Sequence, residues 1–494
     1  MSDASAARTE AWIDAAGHAD GDVDEMVASV IAAGIPSHAV RVVSTEDDPP
    51  VRADGVRVIP ADVEVLNREW RASGAEFLML VRRGRAEPET VDRVTGFLDR
   101  FPEVEVAYGD SVAAKDSSPL TRPRFSPIRL RSNDYLGPIV VVRRSVLERL
   151  GGFRPEARRA QVLDLVLRAD EAGLDIALVP AVLAREDLAD VDFASSAEAQ
   201  DRVVRDHLDR CGVVAEMEHV RPFTRRLRYR IEGDPLVSIV IPTRGGSAHV
   251  AGAERVLVVE AIRGIVDRST YRNLEFVVVC DRETPDDVVA ELRELCGDRL
   301  RIVLWDAPFN FSAKMNRGAA AASGEYLLLL NDDVEVVTDD WIESMLGLAR
   351  QRGVGMVGAM LYFEDSTIQH AGQIYTGGVA GHAAFGWTGG RDDLLGTLAT
   401  DHEVSGVTAA CALIASDVYA EVGGFTLSLP GNYNDVDLNM KVRGTGRSVV
   451  FTPWARLYHF ESKSRDPRIL PSDIETLQSR WLRRMQVEMY SRML

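Results

Sequence analysis

The residues of this chain best suited to chemistry are Asn331, Asp332 and Asp333, which follow four consecutive leucines, Leu327 to Leu330. A buried strand there delivers hard oxygen ligands to the edge of a sheet. Carboxylate oxygens suit magnesium or manganese, and either ion would neutralise a diphosphate. Asn-Asp-Asp is equally good turn chemistry, so the cluster alone fits a site and a plain turn alike. Other polar residues stand at the ends of apolar runs: Thr243-Arg244, Asp281-Arg282, Asp306 and Glu335.

The elements that must position them are legible from the pattern. Val237 to Ile241 reads as a buried strand ending at Pro242, and Val256, Val259, Ile262, Ile265 and Val266 recur at helical spacing. Glu275 to Cys280 reads as a strand, Asp286 to Cys296 as a helix, Leu300 to Trp305 as a strand, Ser312 to Ala322 as a helix and Tyr326 to Leu330 as a strand. This alternation predicts an α/β fold with a parallel, doubly wound sheet, whose ligands bind at the carboxyl ends of the strands. No Gly-x-Gly-x-x-Gly or Walker-type loop follows the first strand, which leaves a site built on carboxylates.

Composition sets the outer bounds. The chain has 494 residues, 46% of them hydrophobic, and 57 Lys+Arg against 76 Asp+Glu give a net charge of −19. That describes a soluble globular protein of two to four domains, and its sign argues against a nucleic-acid partner. Cys211, Cys280, Cys296 and Cys411 form no Cys-x-x-Cys pair, so neither a zinc ribbon nor a thioredoxin-like motif is available. The start lacks the basic and apolar regions of a signal peptide, and no span reaches the roughly 20 apolar residues needed to cross a bilayer. The expectation is a cytoplasmic protein whose membrane contact, where it occurs, is peripheral and at the inner face.

Pro242-Thr243-Arg244, Asp281, Asn310-Phe311-Ser312 and Ser323 to Asp333 are followed by Gly423-Gly424-Phe425, Asn434-Asp435-Val436-Asp437-Leu438, and His459 with Ser462 and Ser464. As an ordered set, covering about residues 237–465, these resemble glycosyltransferase family 2 with its GT-A fold. The resemblance implies a nucleotide-diphosphate sugar donor and Mn2+ or Mg2+. Asn331-Asp332-Asp333 then takes the family's Asp-x-Asp position, with Asn331, Asp333 and His459 as metal ligands; Asn331 offers a neutral amide where the pattern has a carboxylate. Pro242, Thr243, Arg244, Asp281, Asn310, Ser312, Lys314, Asn316 and Asp332 fall on the donor side. Asp435 is the implied catalytic base of an inverting displacement, in an Asn434-Asp435 pair where the family usually has two carboxylates. Asp437 is expected to interact with backbone N–H groups at its helix start. A Gly-rich segment holding His370, His382 and Trp387, together with Tyr433 and Asn434, is the candidate acceptor side.

The N-terminal part repeats this order. Asn67-Arg68 recurs as Asn316-Arg317, Glu76 to Val81 as Glu325 to Leu330, Gly151-Gly152-Phe153 as Gly423-Gly424-Phe425, and Asp164-Leu165 as Asp437-Leu438. Near-constant offsets predict a duplicated fold. Arg82-Arg83-Gly84 stands where Asn331-Asp332-Asp333 does, Val162 where Asp435 does, and Arg185 or Glu186 where His459 does; an opening strand with its Pro-Thr pair is not evident. The expected architecture is two GT-A-like, Rossmann-like domains in tandem, similar to bacterial rhamnosyltransferases and O-antigen biosynthesis glycosyltransferases. Residues 1–220 form the degenerate first copy, 221–236 a basic linker, 237–470 the catalytic domain and 471–494 a C-terminal amphipathic helix. That helix is expected to open on a Ser472–Glu475 capping box, run through Met493, and pack Leu477, Trp481, Met485 and Met489 on the body or on a second subunit.

The function these readings imply is metal-dependent, inverting transfer of a hexosyl or deoxyhexosyl group. The acceptor would be a saccharide or lipid-linked saccharide, in bacterial surface polysaccharide synthesis. A non-catalytic carbohydrate-binding scaffold is the alternative that Asn331 and Asn434 favour. A sugar nucleotidyltransferase is disfavoured, because its Gly-rich, Lys/Arg-bearing loop is missing.

Overall fold

The computed structural model describes residues 8–16, 18, 20–45, 53–186, 193–221, 223–250, 252–393, 395–460 and 469–490. Pro222, Ser462, Ser464 and Met493 lie outside them. The chain divides into two compact units, Met1–Arg225 and Arg226–Leu494.

The first unit contains strands β1 (Thr9–Asp14), β2 (Val40–Ser44), β3 (Arg57–Pro60), β4 (Phe77–Val81), β5 (Arg85–Ala86), β6 (Val104–Ala113), β7 (Ile139–Arg143) and β8 (Asp175–Glu186). They assemble in the order β3-β2-β1-β4-β7-β6-β8-β5. The second unit contains β9 (Val237–Thr243), β10 (Leu274–Asp281), β11 (Leu300–Trp305), β12 (Tyr326–Leu330), β13 (Val334–Val336), β14 (Val354–Tyr362), β15 (Cys411–Ala415) and β16 (Ser448–His459), in the order β11-β10-β9-β12-β15-β14-β16-β13. Strand for strand the two orders are the same, and so are the pairing directions. The opening strand that the sequence did not reveal is β1, which lies between β2 and β4 as β9 lies between β10 and β12. Glu10 hides it by interrupting the apolar run; the side chain is buried, accepting from Trp12 Nε1 at 3.0 Å and pairing with Arg41 at 3.3 Å.

Both sheets are mixed rather than parallel throughout. β12 runs parallel to β9 but antiparallel to β15, which is also antiparallel to β14. The expectation of a parallel sheet holds for β9 to β12 and again between β14 and β16; β15 and β13 are the antiparallel members, and antiparallel neighbours do not leave the strand–helix alternation that a crossover imposes. β9 is buried at every position, and the four leucines of β12 are all buried. A strand covered on both faces must be apolar along its length, so polar groups gather just past its carboxyl end.

One device recurs in both units. Asn67, on helix α1 (Val63–Ala72), donates Nδ2 to the Phe153 carbonyl and accepts the Phe153 N–H through Oδ1, both at 2.9 Å. Asn316 exchanges the same two bonds with Phe425 at 2.8 Å each. A β-carbon at Gly152 or Gly424 would stand 2.1 or 2.5 Å from the asparagine oxygen, and both glycines have positive φ, +91° and +59°. The Gly-Gly-Phe repeat is therefore required by close approach of this asparagine.

The C-terminal helix spans Pro471–Trp481, shorter than the sequence pattern suggested. The N–H groups of Gly378 and Gly377 take the carbonyls of Met485 and Gln486 at 3.0 and 3.2 Å, which draws this stretch out of the helix. Its cap is not Ser472–Glu475: Asp473 accepts the Leu470 N–H at 3.3 Å. Leu477 and Met485 are buried against Tyr375, Val436 and Met440 of the same unit. In the basic stretch, Arg225 is buried and pairs with Asp201 at 2.5 Å, while Arg226 pairs with Asp340 at 2.6 Å. Among the described residues, no helix is long and apolar enough to cross a membrane.

Asn316→Ala removes the two bonds to Phe425 and strands buried backbone groups. It is expected to lower the stability of the second unit by about 1–3 kcal/mol in urea unfolding, and Asn67→Ala that of the first unit by a similar amount.

Candidate functional site

A cleft of about 510 Å³ opens in the second unit beyond the carboxyl ends of β9 and β12. Its lining includes Pro242, Thr243, Arg244, Lys314, Asn331, Asp332, Asp333, His382, Tyr433, Asn434, Asp435 and His459, drawn from segments more than 200 residues apart in sequence. The fold therefore brings together most of the residues singled out by pattern.

On one wall, Thr243 donates Oγ1 to Asp332 Oδ2 at 2.6 Å and accepts the Gly245 N–H at 2.9 Å. Lys314 is buried and donates Nζ to the Thr243 carbonyl at 3.0 Å and to Asp281 Oδ1 at 2.6 Å. Asp281 is thus tied to the cleft through Lys314 rather than lining it. Burial, and then the charge of Asp333, push Asp332 up to about 6 against the pull of the Thr243 hydrogen bond. Two adjacent carboxylates in a dry corner repel one another, and a cation there relieves the repulsion.

His459 closes β16 beside this pair. Its Nδ1 lies 2.7 Å from Gln369 Oε1, and Gln369 Nε2 donates to the His459 carbonyl at 3.2 Å. With an amide oxygen at Nδ1, that nitrogen is placed to donate, which turns Nε2 toward the acidic corner. Nε2 lies 3.2 Å from Asp333 Oδ1 and 3.0 Å from Asn331 Nδ2. Adjacent donors of an octahedral ion with ligand distances of about 2.1 Å stand about 3 Å apart. The Asp333 carboxylate and His459 imidazole therefore fit a divalent ion in chemistry and in spacing. Asn331 turns its NH2 toward the same imidazole, so ligation through its oxygen requires the amide to flip.

Helix α2 (Phe311–Ala321), which carries Lys314, also holds the loop leading to helix α3 (Asn434–Gly444). The Phe311 N–H bonds the Pro430 carbonyl at 2.7 Å, Ser312 Oγ the Leu429 carbonyl at 2.6 Å, and Asn310 Nδ2 the Leu427 carbonyl at 3.0 Å. Asn310 Oδ1 also caps α2 by accepting the Ala313 N–H. Asn310, Ser312 and Asn316 are thus placed behind the cleft, where they hold backbone, and not in its lining. Tyr433 has φ +56°, unusual for a large side chain, and immediately precedes α3. Asp435 follows in the first turn: Oδ1 accepts the Val436 N–H at 2.7 Å and Oδ2 accepts Gln373 Nε2 at 3.0 Å.

Gln373 was not foreseen from sequence. It is buried, and its Oε1 accepts Tyr375 Oη at 2.6 Å and Asn439 Nδ2 at 3.2 Å, which fixes the amide so that NH2 points at Asp435. Nothing in its spacing marks it, since Asp435 and Asn439 are more than 60 residues away in the chain. Phe309 and Phe385, exposed aromatic rings in the lining, were likewise missed. Trp387 is not in the lining; it packs against the core with Arg391 at 3.9 Å from its ring centroid. His370 is buried behind His382, the two Nδ1 atoms 2.7 Å apart, and burial followed by the neighbouring imidazoles of His382 and His459 holds it well below the usual histidine range.

Asp437 corrects the expectation of a helix-start carboxylate bonding backbone N–H groups. It is fully buried and accepts Thr426 Oγ1 at 2.6 Å and both Arg480 Nε and Trp481 Nε1 at 2.7 Å. It fastens the C-terminal helix to α3, next to Asp435.

Residues 238–423 match the family model described as glycosyl transferase family 2. This segment belongs to that family. The family 2 segment carries Thr243 and the Asn331-Asp332-Asp333 corner but stops short of Asp435 and His459. An uncharacterised protein, y4gI, of Sinorhizobium fredii is 33% identical over 438 residues, covering 83% of this chain and 47% of its own. The O-antigen biosynthesis protein RfbC of Myxococcus xanthus is 33% identical over 443 residues, covering 85% of this chain and 34% of its own. Both matches are longer than the second unit, so they take in most of the first; the chain spans about half or less of these relatives' length. Among solved structures, a GalNAc-T7 complex with UDP, GalNAc and Mn2+ has 13% identity and a TM-score of 0.40 over 53% of this chain and 51% of its own. A mannosyltransferase of Pyrobaculum calidifontis with GDP-Man and Mn2+ has 13% identity and a TM-score of 0.34 over 51% and 70%. These two likenesses are too weak to bear on the chemistry.

Replacing Gln373 by Glu sets a second carboxyl about 3 Å from Asp435, and like charges at that distance resist joint ionisation. If Asp435 is the base, the acid limb of the pH–rate profile is expected to move up by a unit or more in Gln373→Glu, measured as nucleoside diphosphate release.

Proposed function

We propose that the second unit is an inverting, metal-dependent glycosyltransferase of GT-A type, moving a sugar from a nucleoside-diphosphate donor to a saccharide or glycolipid hydroxyl. The observation that carries this reading is the convergence of Asp333, His459 and Asp435 on one cleft of a family 2 segment. A Mn2+ or Mg2+ ion held by Asp333 and His459, with Asn331 at its margin, would supply positive charge to the departing diphosphate. Thr243 fixes Asp332, and Lys314 joins Asp281 to the end of β9, so that the donor side is rigid before substrate arrives. Asp435, aimed by Gln373 and the Val436 N–H, takes the proton of the acceptor hydroxyl. That oxygen bonds to the anomeric carbon as the bond to the diphosphate oxygen breaks, and the leaving oxygen keeps the electron pair. A single displacement from the opposite face inverts the centre. Phe309, Phe385 and Tyr433 offer ring faces to the apolar side of a sugar.

The first unit, with the same strand order but arginines in the carboxylate corner, is a tandem copy that does not catalyse. The name of the Myxococcus relative supports a role in surface polysaccharide synthesis. A cytoplasmic site of action, peripheral membrane contact and self-association belong to the same reading.

Asp435→Ala is expected to lower kcat by about 10²–10⁴-fold, the range of a lost general base, while leaving donor binding intact. Chelation should abolish transfer and manganese restore it, and Asp333→Ala should raise the manganese concentration required. A chain that binds no nucleoside diphosphate with or without manganese would be a scaffold instead.

A further inference from the structure

We infer that the first unit binds an organic phosphate, either a nucleotide or a sugar phosphate, without a metal ion, in a cavity of about 810 Å³ at the carboxyl ends of β1, β2 and β4. Asp14, Val43 and Val81 bring those strand ends into its lining, the position at which open α/β sheets take ligands. The volume falls in the range of small-molecule pockets, and it exceeds that of the second unit's cleft. Trp12 and Phe153, stacked at 5.6 Å with 25° between planes, join Leu66 and Val162 in an apolar wall suited to a base or to the apolar face of a sugar.

The charge of the cavity is set by which groups are already spent. Arg82 is held by Asp134 at 2.5 Å and by the Gly137 carbonyl, so that pair is neutral. Asp62 is used as the cap of α1, accepting the Glu64 and Val65 N–H groups at 2.9 and 3.1 Å. Burial raises the Asp14 carboxyl, and its Oδ1 accepts the Ala16 N–H. Glu64 is exposed. Against it stand two adjacent guanidiniums, Arg158 and Arg159, both exposed in the lining and neither in an ion pair among the described residues, with the charge of Arg159 also felt by Asp14. Arg158 is held at φ +41°, ψ −114°, a conformation that a β-carbon disfavours. Strain of this kind gathers at ligand clamps. Two neighbouring guanidiniums match a phosphate in charge and in planar geometry, and they make a bridging cation unnecessary.

The inference holds whether or not the second unit transfers sugar. Its test is calorimetric titration of the full chain in EDTA with UDP, GDP and glucose 1-phosphate. At least one probe should bind, weaken tenfold or more in Arg158→Glu/Arg159→Glu, and bind unchanged in Asp333→Ala. Binding of the nucleotides alone would identify the base as the recognised body, and binding of glucose 1-phosphate alone the sugar. Should charge reversal disturb folding by circular dichroism, Arg158→Gln/Arg159→Gln must show the same direction of effect. The inference is overturned when no probe binds in EDTA, when the arginine variants bind as well as the parent, or when binding is lost in Asp333→Ala.

Discussion

A central strand covered on both faces can carry charge only where it ends, and the rest of each unit is arranged around how that charge is balanced. β12 runs through four leucines and then releases Asn331, Asp332 and Asp333 at the sheet edge. β4 runs through an equally buried stretch and releases Arg82 and Arg83. The surrounding strands are in the same order, so the two corners are one structural problem with opposite signs. In the first unit it is solved internally. Arg83 and Arg122 both pair with Glu186, which ends β8 as His459 ends β16, and although burial opposes ionisation the two guanidiniums hold that carboxyl down to about 2. In the second unit the solution is incomplete: Thr243 and the His459 imidazole face two carboxylates, and Asp332 is pushed up to about 6.

The scaffold behind these corners is common to both units. Asn67 and Asn316 fasten the helix after the third strand to a Gly-Gly-Phe turn. The following helix reaches the same turn through an acid and a cation one helical turn apart. Asp164 binds Arg168, whose Nη2 takes the Gly152 carbonyl at 2.9 Å; Asp437 faces Lys441, which bonds the Gly424 carbonyl. Only in the second unit does this acid also bind Arg480 and Trp481. The C-terminal helix thus braces the start of α3 and, with it, Asp435.

Much of this was legible in the sequence because it depends on contiguous patterns. Leu300–Trp305, Tyr326–Leu330 and Asp286–Cys296 lie at the bounds that apolar periodicity sets, and the Asn67/Asn316 and Gly-Gly-Phe pairs appeared as repeats in the same order at similar offsets. What escaped was decided by contacts between distant segments. β1 was hidden by a buried Glu10 whose compensating Arg41 is 31 residues away. Gln373 meets Asn439 and Asp435 from more than 60 residues away, and Asp437 takes its partners from a helix more than 40 residues on. The aromatic choice failed for a similar reason. Trp387 and Phe385 are two residues apart, and tertiary packing alone decides that the tryptophan joins the core while the phenylalanine faces the cleft.

The contrast between the corners also separates what the fold needs from what chemistry needs. A buried carboxylate raised above its ordinary range means that the folded chain holds the charged form at a cost, whereas one lowered by guanidiniums means that the charged form is supported. By that measure the first unit is the relaxed version of the sheet edge and the second the tense one. Strand order, leucine-rich centre and asparagine clamp persist in the unit where the acids have become arginines, so none of these features requires the acids. Asp332 and Asp333 therefore cannot be explained as parts of the framework. Their proximity is only partly offset by Thr243 and by the charge of Lys314, and the cation of the proposed function would relieve the rest.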